Sequence, residues 1–166
     1  NGIPEREDED ILEAQTVIIA LKTRTCPPGE AVDRSMAAFS WLKAHGARML
    51  YFKYCSTFDS TPKGNIGPVA DALMDLMKAP YTLLCPALPV NGRTVEHGML
   101  LVNDVPLHES HMKNHPLTPM WDARIANLMK PQSKYSCVEL WKEQMDRPAD
   151  EIRAMLADRA GGQEPF

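Results

Sequence analysis

Basic, hydroxyl and amide side chains follow three short apolar runs of this 166-residue sequence. They suit a small, hydroxylated anion, because arginine holds a carboxylate through two parallel hydrogen bonds and lysine adds a point charge. Serine, threonine and asparagine hydrogen-bond to sugar hydroxyls. The candidate binding residues are Arg24, Lys53, Ser56, Thr57, Asn65, Asn91 and Arg93. Asp59 is the candidate general base, and Lys53 is the candidate catalytic cation.

The three apolar runs predict strands that are buried on both faces. Apolar residues at helical spacing follow the first two runs, with Gly46 at the end of one helix and Pro68 in the first turn of the other. This alternation predicts an α/β fold, with a mainly parallel sheet and helices on both faces. The predicted strands are 16–21, 49–55 and 81–85, and the predicted helices run from about 31 to 46 and from 64 to 78.

The candidate residues lie after the carboxyl ends of these strands, where parallel sheets bind ligands. A helix that begins at Gly64-Asn65 would point free N–H groups at the same edge. Each loop also has a structural interpretation, because basic loops are usually solvated and Ser56 to Ser60 is ordinary turn chemistry. Convergence at one edge favours an anion-binding cleft, and both interpretations stay open here.

The second half predicts smaller elements, including a β-hairpin over 99–107 that turns at Asn103-Asp104. Asp122 lies near the start of one predicted helix, Asp146 caps another, and Gly161-Gly162 ends the latter. The predictions are a loop over 86–98, irregular chain over 108–119, helices over 121–129 and 148–160, and a strand over 136–140.

Composition excludes several function classes. The 22 acidic and 18 basic residues give a net charge of −4 without a basic stripe, so nucleic acid is not an expected partner. The apolar runs are far shorter than the roughly 20 residues of a membrane helix, so no membrane is expected either. Four scattered cysteines without a CxxC pair favour reduced thiols in a cytoplasmic protein. The acidic run from Glu5 to Asp10 is typical of a solvated segment.

Four sequence motifs are similar to those of a known family. They are KYCSTFDSTPKGNIGP (53–68), CPALPVNGRTVEHG (85–98), LKTRTCPPGEAV (21–32) and NHPLTPMWDA (114–123). In order and spacing they resemble the four-carbon acid sugar kinase family, and within it the branch that acts on 3-oxo-tetronate. The resemblance covers residues from about 16 to about 133, and the tail after it matches weakly.

This resemblance implies a bacterial, ATP-dependent kinase of two domains, which phosphorylates the C4 hydroxyl of 3-oxo-tetronate in sugar-acid catabolism. The amino-terminal domain binds the acid, and the carboxy-terminal domain binds ATP with Mg²⁺. Residues 1–166 are expected to be the acid-binding domain, with the ATP-binding domain as its partner. The domain is expected to be incomplete, because family members open with a strand and loop resembling ADDFTGA, whose aspartates belong to the cleft. The resemblance makes those aspartates stronger candidates for the general base than Asp59. A homo-oligomer is left open.

Two enzymatic or ligand-binding alternatives rest on other residues. A metal-dependent hydrolase would use the four histidines of one stretch, although their spacing is not HExxH. These are His97, His108, His111 and His115. A nucleotide-binding protein would use residues 63–67, which lack the GxxxxGK[ST] order of a phosphate loop.

The remaining alternative is a truncated α/β domain without catalytic activity, which binds a small anion or a protein partner. Its Trp121, Trp141 and methionines would then form an exposed apolar patch.

Arg93→Ala in the full-length protein is expected to weaken binding of the sugar acid and to leave ATP affinity unchanged. The reason is that Arg93 follows a predicted strand of the acid-binding domain, whereas ATP is assigned to the other domain. Calorimetric titration with each ligand checks this, and an equal loss of both affinities would contradict the division.

Overall fold

Five helices and three strands form the regular structure of the part described by the computed structural model, residues 2–4, 11 and 13–159. The helices are α1 (Pro28–Ala44), α2 (Ile66–Met77), α3 (Ile125–Met129), α4 (Lys142–Met145) and α5 (Ala149–Arg159). The strands are β1 (Arg93–Glu96), β2 (Met99–Val102) and β3 (Val105–Pro106). Short 3-10 helices span Pro89–Asn91 and His111–Asn114.

The sheet is antiparallel in the order β1-β2-β3, and two-residue turns connect its strands. Asn103 and Asp104 have φ of 49° and 65°, as a type I′ turn requires. The predicted hairpin is therefore confirmed. The prediction of a loop over 86–98 was wrong in its second half, where β1 lies. His97 and Gly98, with φ of 45° and 79°, form the turn that pairs β1 with β2.

The main core lies between the sheet and the chain that follows it. Leu100 and Val102 of β2 point into this core, and Phe58 joins it from a distant loop. Its other members are Ile66, Leu107, Met112, Met120, Ala123, Ile125, Leu128 and Met129. Separately, α1 packs against α2, and its buried face is Ala31, Ser35, Ala38 and Phe39.

The three predicted parallel strands are absent as strands from the described chain. Residues 16–21, 49–55 and 81–85 carry no ladder of hydrogen bonds, and one face of each is exposed. Ile18 and Met49 are each 87% exposed, and Leu83 is 72% exposed. Phe52, Tyr54 and Leu84 lie on the opposite face, against the core. The mixed α/β class is thus confirmed, whereas the parallel sheet is not found among the described residues. An apolar run favours extended chain, but a ladder also needs a neighbour to pair with.

The predicted long helices are confirmed as α1, α2 and α5. The short helix begins at Ile125 rather than at residue 121, because Asp122 Oδ1 accepts hydrogen bonds from the N–H groups of Ala123 and Arg124. The strand predicted over 136–140 is wrong, and Asp146 ends α4 rather than beginning α5. The acidic run 5–10 and the glycines at 161–162 lie outside the described residues. Within those residues, no helix has the length and apolar character needed to cross a bilayer.

Phe58→Ala is expected to lower the free energy of unfolding of this chain by about 3–5 kcal/mol, since it empties a fully buried aromatic site. The matched control is Leu83→Ala, which removes an exposed side chain and is expected to cost less than about 0.5 kcal/mol. Urea unfolding measures both. Equal losses would mean that residues 81–85 are buried in solution.

Candidate functional site

A strained turn over residues 55–60 organises the candidate site. The Phe58 N–H donates to the Cys55 carbonyl at 3.0 Å, and Phe58 and Asp59 have φ of 63° and 42°. Residues other than glycine rarely adopt this left-handed backbone conformation, and such backbone strain is concentrated at functional sites. Phe58 is fully buried in the core and holds the turn there.

Asp59 is a buried acidic residue within this turn. Its Oδ1 accepts a hydrogen bond from the Thr57 hydroxyl at 2.7 Å, and its Oδ2 accepts one from Arg24 Nη1 at 3.2 Å. The Asp59 side chain is 6% exposed, whereas that of Arg24 is 62% exposed. A buried carboxylate is thus paired with a cation whose other nitrogens remain open to a ligand.

Asn65 fixes the loop that carries Arg24. The Asn65 side chain is buried, and its Nδ2 donates to the carbonyls of Thr23 at 2.7 Å and Cys26 at 3.0 Å. Because Asn65 immediately precedes α2, these bonds join the Arg24 loop to the start of that helix. Burial raises the pKa of the Cys26 thiol, as does the charge of Glu30, so the thiol stays protonated. Asn65 therefore positions Arg24, a role in addition to the ligand binding predicted from its sequence.

Gln132 contacts Ser60 and Gly67, which lie on either side of Asn65 in the sequence. The sequence alone did not predict Gln132 as part of the site. Its Oε1 accepts from the Ser60 hydroxyl at 3.0 Å and from the Gly67 N–H at 3.4 Å. A Cβ on Gly67 would lie 2.6 Å from the Gln132 backbone, so this approach requires glycine. One N–H at the start of α2 is therefore already occupied, so the expectation that this helix offers its N–H groups to an anion is wrong for Gly67. No sequence signal links residues that lie 65 and 72 positions apart.

Lys53 lies in an exposed position on the segment before the turn. Its ammonium donates to the carbonyl of its neighbour Tyr54, and it lines a small cavity of about 10 Å³ with Cys85 and Pro86. Burial raises the pKa of the Tyr54 phenol, which stays neutral. No hydrogen bond or ion pair among the described residues joins Lys53 to Asp59.

Asn91 and Arg93 meet at the corner where the 3-10 helix enters β1. The Arg93 guanidinium donates to the Asn91 carbonyl. In the described part of the chain neither side chain contacts Arg24 or Asp59. The structure thus joins four of the predicted site residues, namely Arg24, Thr57, Asp59 and Asn65. Lys53, Asn91 and Arg93 lie outside that contact network. Ser56 is half-buried and directly precedes Thr57 in the sequence.

Three of the four candidate histidines have separate partners. The His97 ring packs edge-to-face against Trp141 and lies near the Glu143 carboxylate. His108 lies beside Glu109. His115 hydrogen-bonds to Thr118. Within residues 2–4, 11 and 13–159, no three His, Cys, Asp or Glu side chains are close enough to hold a metal ion. The described structure gives the metal-hydrolase alternative no support.

An open groove of about 480 Å³ lies beside Pro62, in the segment that connects the strained turn to α2. Pro62, Asn127, Lys130 and Pro131 line it together with Trp121, which is 48% exposed. Trp121 and Trp141 are both partly exposed, whereas Met112, Met120 and Met129 are buried in the core, so the expected patch of tryptophans and methionines is wrong for these methionines.

Residues 4–165 match the profile of a family described as the sugar-binding N-terminal domain. The chain belongs to this family. The match spans both the Arg24–Asp59 pair and the Gln132 contacts. It confirms the kinase-family resemblance of the four sequence motifs at the level of this domain.

Relatives of this sugar-binding domain are longer proteins. The chain is 47% identical over 156 residues to a 3-oxo-tetronate kinase of Brucella melitensis, covering 94% of this chain and 35% of that protein. It spans 29–40% of the length of these curated relatives.

Solved structures share the fold. A protein of Haemophilus influenzae matches with a TM-score of 0.87 and 44% identity, over 98% of this chain and 39% of that one. A domain from Bordetella bronchiseptica, a domain-swapped dimer with bound citrate, matches with a TM-score of 0.69 and 28% identity, over 95% of this chain and 37% of that one.

Asn65→Asp is expected to destabilise the chain by about 1–3 kcal/mol, because a carboxylate oxygen would replace the donor that faces two carbonyls. Asn91→Asp introduces the same charge at an exposed position and is expected to change stability by less than about 0.5 kcal/mol. Thermal and urea unfolding at neutral pH measure both. Equal effects would contradict the role of Asn65 in holding the Arg24 loop.

Proposed function

We propose that this chain is the acid-binding part of an ATP-dependent kinase that phosphorylates the C4 hydroxyl of 3-oxo-tetronate. The observation that carries the proposal is the Arg24–Asp59 pair, in which an exposed guanidinium is held in place by a buried carboxylate. Such a guanidinium suits the carboxylate of a sugar acid. The names of the longer relatives supply the kinase chemistry and the acid.

Asp59 is proposed as the group that receives the proton of the reacting hydroxyl. A carboxylate has roughly four lone-pair sites, and Thr57 and Arg24 occupy one on each oxygen of Asp59. A site remains on each oxygen for a hydroxyl of the acid. Phosphoryl transfer depends mainly on positioning, so holding that hydroxyl is the main contribution of this chain.

The other predicted residues are proposed to bind the remainder of the acid. Lys53 supplies a positive charge, and the hydroxyls and amides bond the sugar hydroxyls. These ligands are Lys53, Ser56, Thr57, Asn65, Asn91 and Arg93. Because Lys53, Asn91 and Arg93 lie outside the Arg24–Asp59 network here, binding of the acid is proposed to draw them toward it.

ATP and Mg²⁺ are proposed to bind the carboxy-terminal domain of the full-length protein. When bound, ATP supplies the phosphoryl group. The described residues do not fit it, because the segment from Lys63 to Gly67 lacks a phosphate-loop sequence and the Gly67 N–H is bonded to Gln132. This chain therefore binds and orients the acid, in a cytoplasmic enzyme.

A non-catalytic interaction module is a second candidate, and exposed apolar side chains favour it. Ile18, Met49 and Leu83 are 87%, 87% and 72% exposed, on segments without a ladder of hydrogen bonds. The domain-swapped dimer of the Bordetella relative shows self-association in that protein, and its bound citrate is a carboxylic acid. Both functions are compatible in one chain, since the acid would bind elsewhere, at Arg24.

Arg24→Ala in the full-length protein is expected to weaken binding of four-carbon acids at least about tenfold, because a charged hydrogen bond to a carboxylate is lost. Arg34→Ala is the matched control, since Arg34 pairs with Glu30 on α1 and does not contact Asp59. Calorimetry with 3-oxo-tetronate, threonate and erythronate measures both. Equal affinities of the Arg24 variant and the wild type would contradict the proposal.

A further inference from the structure

Gln132 joins the two ends of the segment that connects the strained turn to α2. Its Oε1 accepts from Ser60 at the first end and from the Gly67 N–H at the second. Asn65 lies between these two contacts, and Asp59 directly precedes the first. A single side-chain oxygen therefore sets the separation of the two ends of the segment.

Only an amide satisfies all the contacts of this side chain. While Oε1 accepts from the segment, Nε2 donates to the Leu128 carbonyl at 3.2 Å. Leu128 is 1% exposed, so this carbonyl belongs to the packed core. The Gln132 backbone N–H donates to Met129 at 2.8 Å, which fixes the base of the side chain. The side chain thus connects the segment to the core in one orientation.

The residue after Gln132, Ser133, contacts α2 at another residue and does not hydrogen-bond to the segment. Ser133 donates to Asp71 Oδ1 at 2.6 Å, and the Lys134 N–H donates to Asp71 Oδ2 at 2.8 Å. Asp71 is four residues after Gly67, on the same face of α2. Ser133 therefore offers a neighbouring contact whose loss leaves the segment untouched.

We propose that Gln132 is a positioning residue for the acid-binding site, which acts through Ser60 and Gly67 on the placement of Asp59 and Asn65. This inference rests on the proposed function for the identity of the ligand. The physical basis is that a buried hydroxyl and a buried N–H lose their shared acceptor when the amide is removed. The segment then samples other conformations, and the acid-binding geometry is populated less often.

Gln132→Met in the full-length protein keeps the length of the side chain and removes its hydrogen bonds. Hydrogen exchange of residues 60–67 is expected to accelerate at least about tenfold in this variant, and the affinity for threonate, erythronate or 3-oxo-tetronate to fall at least about tenfold. Ser133→Ala is the matched control, expected to change both by less than about twofold. The double variant Ser60→Ala/Gln132→Met should bind the acid no more weakly than Gln132→Met alone, because the two side chains act through one bond.

The two measurements separate the two claims. Unchanged exchange of residues 60–67 in the Gln132 variant would overturn the inference, whatever the acid result. Faster exchange with unchanged acid affinity would also overturn it. Failure of the wild-type protein to bind any of the acids would instead overturn the proposed function, and exchange would still decide whether Gln132 holds the segment. If Gln132→Met does not fold, Ser60→Ala serves the same test, because it removes only the bond to Gln132 Oε1.

Discussion

The burial of Phe58 is the constraint on which the candidate site depends. Two consecutive left-handed residues that are not glycine cost about 1–3 kcal/mol each. Truncation of a buried phenylalanine costs about 3–5 kcal/mol, which is enough to offset most of that strain. Because Phe58 is inserted into the core and packs edge-on against Tyr54, the turn cannot relax, and Asp59 remains buried beside Thr57 and Arg24.

Contacts between segments distant in sequence then complete the site. Asn65 brings the loop of Arg24 to the start of α2, and Gln132 ties the intervening segment to the core. The proposed ligand-binding residues Arg24 and Asp59 therefore lie in loops, and buried side chains hold those loops in place. This division is common in binding sites, where a rigid framework supports functional loops.

Sequence patterns over a few neighbouring residues correctly predicted the helices and the turn that depend mainly on those neighbours. Helices α1, α2 and α5 follow apolar spacing along the chain, and the turn at Asn103-Asp104 follows from residues that tolerate positive φ. The predicted strands failed because a ladder needs a neighbouring segment at the right spacing, which periodicity does not report. Residues 49–55 illustrate this, since their side chains alternate between exposed and partly buried but the segment has no paired strand. β1 was missed because its turn, His97-Gly98, lies among residues typical of a loop.

The candidate site likewise combines residues that the sequence predicted with contacts that it could not predict. Residue chemistry predicted Arg24, Thr57, Asp59 and Asn65 as candidate site residues, and the structure brings these four together. Side-chain type could not show that the Asn65 amide would be used by loop carbonyls, or that Gln132 would be involved at all. Both facts depend on tertiary contacts between positions about 40 to 70 residues apart.

A crystal structure of the full-length protein with a four-carbon sugar acid tests the central claim most directly. The account predicts that the carboxylate of the acid lies within hydrogen-bond distance of the Arg24 guanidinium, and that one of its hydroxyls lies beside Asp59. An acid bound in the groove lined by Trp121 and Lys130, with no contact to Arg24 or Asp59, would contradict it.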